Sequence, residues 1–238
     1  MNISRLLSVA PMMERTDRHC RYFFRLLSQQ TLLYSEMINA NAITKGNKTR
    51  LLNFSEIEHP LALQIGGSDP KLLAEATKIG VDWGYDEINL NVGCPSSRVS
   101  SGDFGAVLMK RKDHVAKCVD AMAQFSSNVP ISVKCRIAVD DQDPEKILPS
   151  FIKTVSNSGV SIFIIHARKA ILSGLSPKDN RKIPPIDYNL VKKIKAQFPQ
   201  LEICLNGEIK DLSTVINFIN DGINGCMIGR EVYKNPSK

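Results

Sequence analysis

Short apolar segments alternate with longer amphipathic segments from one end of this 238-residue chain to the other. Eight of the short segments have the length and apolar content of strands: 6–13, 32–38, 61–67, 87–93, 131–137, 161–167, 202–208 and 225–231. Between them lie helical patterns, such as the shared face of Leu72, Leu73, Ala76 and Ile79. Repeated strand–helix units require parallel strands joined by crossovers, and eight units close into a (β/α)8 TIM barrel. We therefore predict an α/β fold of this type.

The helix starts and the domain organisation follow from the same pattern. Asp69 before Pro70 predicts a capped helix start, and Asp211 predicts another before the last amphipathic segment. No composition break divides the chain, so we expect one barrel domain over residues 1–238. The eighth strand is predicted to end near Glu231, and the residues after it are too few for a covering helix. We therefore expect a barrel truncated after its eighth strand.

Composition limits the class of protein. Hydrophobic residues make up 43% and charged residues 23% of the chain, as in folded globular proteins. No apolar run approaches the roughly 18 residues of a membrane span, and the first residues do not resemble a signal peptide. Six cysteines without a CxxC pair and four histidines without HExxH argue against disulfides and metal sites. We expect a cytoplasmic protein without a membrane anchor or a bound metal.

Positive charge is concentrated in one segment. The chain carries a net charge of +7, and residues 168–195 hold eight Lys or Arg against Asp179 and Asp187, which leaves +6 there. A basic segment suits a polyanion such as RNA. A solvated helix face is the better interpretation for Lys192, Lys193 and Lys195.

Polar groups lie at or just beyond the end of nearly every predicted strand: Glu36, Gln64, Asn91, Lys134, His166, Asn206 and Arg230. Mutual pairing would explain any two of them, because a buried polar group without a partner is costly. Seven at successive strand ends are better explained by a site at the C-terminal face of the barrel, where enzymes of this fold place their chemistry.

Cys94 lies just after the fourth predicted strand. The alternation of residues 88–92 ends at Gly93-Cys94-Pro95, and serines follow. A thiol placed there is held at the mouth of the barrel. The alternative is a small core hydrophobe, the usual place of a free cysteine. We favour a chemically active thiol.

The ends of strands seven and eight favour a phosphorylated, planar cofactor. Asn206-Gly207 and Gly229-Arg230 follow these strands, where TIM barrels form phosphate sites from backbone N–H groups. The Arg230 guanidinium adds a forked donor for an anion. Lys134 and His166 could donate to ring heteroatoms, although local pairing explains either of them equally well.

Taken together, these residues resemble the tRNA-dihydrouridine synthases, in particular the bacterial A subfamily. The resemblance covers essentially the whole chain, and its most specific pieces are residues 10–13, 16–28, 59–70, 84–96 and 163–185. The last piece, FIIHARKAILSGLSPKDNRKIPP, is not required by the fold. The resemblance implies an FMN-dependent enzyme that uses NADPH to reduce the C5–C6 bond of uridines 20 and 20a in the D-loop of tRNA. It also implies a C-terminal helical tRNA-binding domain, which we expect to lie outside this chain.

The same resemblance implies residue roles. Cys94 would give a proton to C5 of the uridine while reduced flavin gives hydride to C6. Asn91 would contact the uridine, and Lys178 and Arg181 would grip tRNA. The flavin would be held by Pro11, Met12, Met13, Gln64, Lys134, His166, Asn206, Gly207, Glu208, Gly229 and Arg230.

Two positions depart from the family pattern. Glu14-Arg15 follows APMM and places charge near the expected flavin pocket. Glu208 replaces a glycine, so its carboxylate would repel phosphate and a positive φ there would be costly. Two other functions stay open: an FMN-barrel oxidoreductase for a small molecule, against which the Lys169–Pro185 loop argues, and a non-catalytic remnant of a dihydrouridine synthase.

Overall fold

Eight parallel strands form a ring in the computed structural model, which describes residues 3–236 without the side chains of residues 97 and 98. The strands are β1 (Leu7–Val9), β2 (Leu33–Asn39), β3 (Leu61–Gly66), β4 (Glu87–Val92), β5 (Ile131–Arg136), β6 (Ile162–His166), β7 (Glu202–Asn206) and β8 (Gly225–Ile228). Neighbours from β2 to β8 pair in sequence order, and β8 pairs with β1. A bridge between Ser8 and Leu32 joins β1 to the start of β2. The predicted TIM barrel is confirmed.

Helices cover the outside of the ring. They are α1 (Arg18–Leu27), α2 (Ala40–Lys45), α3 (Lys48–Leu52), α4 (Pro70–Trp83), α5 (Ser97–Ser101), α6 (Lys112–Ala123), α7 (Pro144–Ser156), α8 (Tyr188–Gln197), α9 (Leu212–Asn220) and α10 (Arg230–Lys234). Both predicted aspartate caps are confirmed. Asp69 accepts from the N–H groups of Lys71 and Leu72, and Asp211 accepts from that of Thr214. Such a cap stabilises a helix by about 1 kcal/mol.

The main core lies between the strands and this helical layer. Helix α4 shows how the layer approaches the ring, because it buries Leu73 and Ala76 completely and brings Gly80 against β3 and β4. A Cβ atom at Gly80 would lie 2.7 Å from Cδ2 of Leu63 and 2.8 Å from Cδ1 of Ile88. Any larger residue at position 80 would therefore displace these two buried side chains.

The prediction for the end of the eighth strand was wrong. Strand β8 ends at Ile228, whose carbonyl accepts from the N–H of Ala10 2.8 Å away, and α10 follows after Gly229. The first strand is also shorter than predicted, because Met12 already closes a turn with Thr16. After β1 the apolar residues Met12 and Met13 continue past the paired strand into a turn, whereas after β8 Gly229 follows the last paired residue and Arg230 and Glu231 begin α10. No helix within residues 3–236 has both the length and the apolar character needed to cross a bilayer.

Candidate functional site

The strand-end polar side chains meet at the C-terminal mouth of the barrel. Nζ of Lys134 on β5 donates to Oδ1 of Asn206 on β7, 2.9 Å away, and Asn206 Nδ2 donates to the carbonyl of Met227 on β8 at 2.7 Å. The ring of His166 on β6 packs against Gly207. The structure thus brings together strand ends β5 to β8, as the sequence pattern predicted.

A continuous line of hydrogen bonds runs through the barrel interior beneath this mouth. Every member is buried, and each side chain uses its polar atoms on its neighbours. From the mouth downward the pairs are Asn91–Gln64 at 2.8 Å, Gln64–Asn89 at 2.8 Å, Asn89–Ser132 at 2.7 Å and Ser132–Glu87 at 2.5 Å. A buried network in which every side chain has a hydrogen-bonded neighbour fixes the orientation of its members.

Asn91 connects this line to the loop that carries Cys94. Its Oδ1 accepts from the N–H groups of Gly93 at 3.1 Å and Cys94 at 3.0 Å, and the Cys94 carbonyl accepts from Ala106 N–H at 2.9 Å. The loop is therefore held from both sides. Cys94 is partly exposed.

Cys135, the other thiol beside Lys134, is fully buried, and burial raises its pKa to about 12. A group so placed cannot reach a substrate and rarely ionises. Of these two thiols, Cys94 is the one available for chemistry.

Cations crowd the mouth. Burial, followed by Arg136, Lys134, Arg168 and Arg181, holds the pKa of His166 well below its usual value, so the ring is neutral. Burial and then Arg136 lower the pKa of Lys134 to about 8. Arg230 adds a further positive charge, and its Nη2 donates to the carbonyl of Arg181 at 3.4 Å. This arrangement favours an anion.

Two guanidinium nitrogens in this cluster point to a missing acceptor. Nη1 of Arg168 and Nε of Arg181 are buried and have no hydrogen-bond partner within residues 3–236. The rest of the Arg168 fork is used, since Nε donates to the Pro184 carbonyl at 2.7 Å and Nη2 to Glu208 at 2.5 Å. A buried donor left unpaired costs about 1–3 kcal/mol. An anionic ligand with oxygen acceptors would remove that cost.

The segment after β7 has a backbone that only special residues adopt easily. Gly207 has a φ of 123°, and a Cβ atom there would lie 2.9 Å from Cδ2 of His166. Glu208 has a φ of 51°, so the costly positive φ anticipated for it is present. Its carboxylate, however, pairs with Arg168, and this hydrogen bond lowers the pKa of Glu208. The anticipated repulsion is therefore reduced by neutralisation.

The turn after β1 carries the predicted Pro11-Met12-Met13 segment. The Met12 carbonyl accepts from Arg15 N–H at 3.1 Å, and Met13 is largely exposed. The N–H of Glu14, at a φ of 59°, donates to the carboxylate of Glu36. Arg15 stacks over the Tyr233 ring with its Cζ 4.6 Å from the centroid. The Glu36 carboxylate thus holds this turn in place. The Arg15 guanidinium lies over the Tyr233 ring of α10.

The long loop separates the two residues expected to grip RNA. Lys178 is exposed, whereas Arg181 is partly buried and lies near Cys94 and Arg230. Two lysines of α8 lie on the outer side of that helix and form ion pairs there. Lys192 pairs with Asp221 at 2.6 Å and Lys193 with Glu145 at 2.8 Å. The net charge of +6 in residues 168–195 is therefore divided between cations at the mouth and lysines on the outer helix α8.

Sequence reasoning missed several residues that build this site. Asn89, Ser132 and Glu87 form the interior line, and the spacing Glu87-Asn89-Asn91 on one strand face was the available signal. Arg136 lies two residues after Lys134 and donates to the carbonyls of three loop residues. Asn180 is fully buried within the long loop. Nothing in the local sequence marks the last two.

No group of three or more His, Cys, Asp or Glu within the described part of the chain is placed to hold a metal ion. Solved structures of similar fold include TcOYE with pHBA, at a TM-score of 0.66 and 9% identity, covering 98% of this chain and 89% of that one. Morphinone reductase in complex with tetrahydroNAD gives a TM-score of 0.65 at 10% identity, covering 98% and 87%. At these identities the likeness shows the fold alone.

Sequence comparison goes further. A tRNA-dihydrouridine(20/20a) synthase from Synechocystis sp. (strain PCC 6803) is 55% identical over 97% of this chain and 68% of its own length. The Escherichia coli K12 protein of the same name is 56% identical, over 96% of this chain and 66% of its own length. This chain thus spans about two thirds of these relatives. The family profile described as Dihydrouridine synthase (Dus) matches residues 8–238. The chain belongs to the dihydrouridine synthase family of enzymes.

Proposed function

We propose that this chain is the catalytic barrel of a tRNA-dihydrouridine synthase, which reduces the C5–C6 bond of uridines 20 and 20a in tRNA. The names of its relatives support the reaction and the substrate. The observation that carries the proposal is an accessible thiol, Cys94, held at the edge of a cationic mouth with unpaired guanidinium nitrogens. The mouth offers sites for an anionic cofactor and an RNA phosphate beside a proton donor.

The residues present fit FMN. The unpaired nitrogens of Arg168 and Arg181 call for anionic oxygens, and Gly207 lets the main chain come close to the His166 ring. Asn206, Gly207, Glu208, Gly229 and Arg230 would hold the phosphate. Lys134 and neutral His166 would face the ring system with Gln64 and the backbone of residues 11–13. We propose that residues 1–238 form this flavin-binding domain.

When bound and reduced by NADPH, FMN would supply the hydride for C6 of the base. Cys94 holds the proton for C5 at Sγ. Lys134, Arg136 and Arg181 lie close to Cys94, so the thiol is placed among cations. Neutral His166 does not compete as an acid. Hydride chemistry thus belongs to the cofactor, while the protein orients the base and supplies the proton.

The target uridine must leave its stack to reach this mouth. Asn91 would meet it through its second Nδ2 hydrogen, since Oδ1 and the first hydrogen are already engaged. Arg181 at the mouth and Lys178 on the outer loop surface would meet phosphates or bases of the surrounding tRNA.

The direct test incubates the purified chain with FMN, NADPH and tRNA transcripts, and measures dihydrouridine by mass spectrometry of nucleosides. We expect yellow protein and dihydrouridine from the unmodified transcript, and none when uridines 20 and 20a are replaced by cytidine. Folded protein that binds FMN but reduces only small unsaturated carbonyl compounds would refute the tRNA substrate. Folded protein that binds no FMN would refute the whole proposal.

A further inference from the structure

We infer that Arg136 is a positioning residue that couples the Cys94 loop to the long loop of residues 169–185. The coupling is a property of the fold, and its consequence for uridine reduction rests on the proposed function. Arg136 is the last residue of β5 and is 3% exposed. It lies between the two loops.

The guanidinium reaches both loops at once. Nε of Arg136 donates to the carbonyl of Gly93, one residue before the thiol, at 3.2 Å. Nη1 donates to the carbonyls of Lys169 at 3.2 Å and Asn180 at 3.0 Å. All three acceptors are main-chain atoms. Arg136 therefore fixes the backbone of each loop relative to the other, whatever the side chains of those loops do.

Both ends of this connection are rigid. On one side, Oδ1 of Asn91 holds the N–H groups of Gly93 and Cys94. On the other, the buried Asn180 amide accepts from Ile171 N–H at 2.7 Å and donates to the Ile171 carbonyl at 2.8 Å. Because hydrogen bonds hold both loops, a displacement of the long loop also displaces the backbone next to the Cys94 thiol.

A charged Arg136 at this buried position costs free energy. Burial, together with Arg181 and Arg168 and despite Cys94, lowers its pKa to about 10, and its three acceptors are uncharged carbonyls. Burying a cation without a carboxylate is unfavourable. Only a planar fork spans carbonyls in two loops, and a lysine ammonium at the same place would act as a point donor. Geometry therefore accounts for an arginine here.

The test compares Arg136→Lys with a matched control, Arg25→Lys. Arg25 is also 3% exposed and also donates to backbone carbonyls, those of Ser28, Thr31, Glu58 and Pro60, but at the N-terminal end of the barrel. Amide hydrogen exchange and the rate of Cys94 alkylation by iodoacetamide are measured on flavin-free protein without RNA. Each variant replaces one buried guanidinium group, so a general increase in hydrogen exchange caused by that loss appears in both variants.

We expect Arg136→Lys to raise exchange in residues 93–94 and 171–181 together and to change Cys94 alkylation several-fold. Arg25→Lys should leave both loops and the alkylation rate as in the wild type. Increased exchange in one loop alone, or an unchanged alkylation rate, would overturn the inference.

A second variant keeps the inference testable if Arg136→Lys does not fold. Asn180→Ala removes the amide that holds the long loop, without touching the Cys94 loop. Coupling through Arg136 predicts that this remote change also alters Cys94 alkylation, and an unaltered rate would refute the coupling.

In single-turnover reduction of uridine, Arg136→Lys should slow product formation by up to about a hundredfold, the cost of a small misplacement of a catalytic group. Flavin reduction by NADPH should stay normal, and Arg25→Lys should react as the wild type does. If the wild type forms no dihydrouridine, the proposed function fails, while the exchange and alkylation results still decide the coupling.

Discussion

Two buried cation sites at opposite ends of the barrel, around Arg5 and around Arg136, are paired in opposite ways. At the N-terminal end, Arg5 donates to Glu87 at 2.7 Å and to Glu202 at 3.1 Å. At the C-terminal mouth, Lys134 and Arg136 donate to an amide oxygen and to main-chain carbonyls. Arg5 thus takes its counter-charges from the chain itself, whereas Lys134 and Arg136 donate to uncharged groups and are available to a ligand that carries negative charge.

The pKa values record this difference. Burial acts to lower the pKa of Arg5, but Glu87 and Glu202 outweigh it, and the pKa is raised. At the mouth burial prevails and the neighbouring arginines add to it, so that the pKa of Arg136 falls to about 10. Paired charges stabilise one arrangement of the fold. Unpaired charges cost stability in the free protein, but they are preorganised for a ligand that carries negative charge.

The largest expected effect is on chemistry at the mouth. Cys94→Ala should lower uridine reduction by about 10²–10⁴-fold, the loss typical of a missing general acid, while NADPH still reduces the flavin. The free energy of unfolding should hardly change, because the side chain is partly exposed. Single-turnover kinetics measure the effect. Cys135→Ala is the matched control, and a greater decrease in that variant would show that Cys135 gives the proton.

The next largest effect is on stability at the N-terminal end. Glu87→Gln should destabilise the fold by about 3 kcal/mol, because it removes the charge that Arg5 faces in a buried network with Tyr34 and Ser132. Urea denaturation of the flavin-free protein measures it. Lys134→Met at the mouth should be neutral or stabilising under the same conditions. The reverse order of the two variants would contradict the proposed contrast between the ends.

A smaller effect concerns the affinity for FMN. Arg230→Ala should weaken binding by about 1.5–3 kcal/mol, roughly tenfold to a hundredfold, because it removes a charge-assisted hydrogen bond to phosphate. Fluorescence titration with FMN measures it. Lys192→Ala, on the paired face of α8, should bind FMN as the wild type does. Equal weakening in both variants would show a general charge effect instead of a phosphate site.

The loop residues offer a still smaller effect, on RNA binding. Removal of one cation that neutralises a phosphate should flatten the salt dependence of tRNA affinity by about 0.9 log units per log unit of salt. We expect Lys178→Ala to change this slope without changing FMN affinity, since it lies on the exposed loop surface. Arg181→Ala, inside the mouth, should change both. An unchanged slope in both variants would remove the loop from the RNA interface.

Much of this architecture follows from local patterns. The eight strands were predicted from periodicity, the two aspartate caps from residue type, and the strand-end polar groups from their positions after the strands. Each of these depends on residues adjacent in sequence. The ends of β1 and β8 were not predicted. Met12 and Met13 stay apolar beyond the last paired residue of β1, and beyond β8 Arg230 and Glu231, which the strand was predicted to include, belong to α10. Apolar character marks burial, whereas a strand ends where its hydrogen-bonded neighbour ends.

The site was predictable in its members but not in its connections. Arg136 acts on the carbonyls of Gly93, Lys169 and Asn180, and any residue type supplies a carbonyl. No sequence pattern could therefore reveal those hydrogen bonds. Counting charges along residues 168–195 also grouped Arg181 with Lys193, although the first lies at the mouth and the second pairs with Glu145 on the outer layer. Charge acts through space, so its effect depends on the fold.

The smallest expected effect is a pH dependence that distinguishes the two ends. In the folded, flavin-free protein the pKa of Lys134 is about 8, against an ordinary value of 10.5. Between these values the unfolded chain binds more protons, so stability should rise as the pH increases through this window. From about pH 8 to about pH 9 we expect a gain on the order of 1 kcal/mol, measured by urea denaturation relative to Lys134→Met. Affinity for FMN should move the opposite way, because the anionic cofactor loses a nearby cation.

The difference from Lys134→Met isolates this one group, since every other titrating side chain is common to both proteins. The Arg5–Glu87–Glu202 cluster should add nothing in this window, because Arg5 stays charged throughout it. Parallel pH profiles for the wild type and Lys134→Met would show that Lys134 is already compensated in the free protein. The mouth would then be a paired cluster like the opposite end, and its cations would no longer argue for an anionic cofactor.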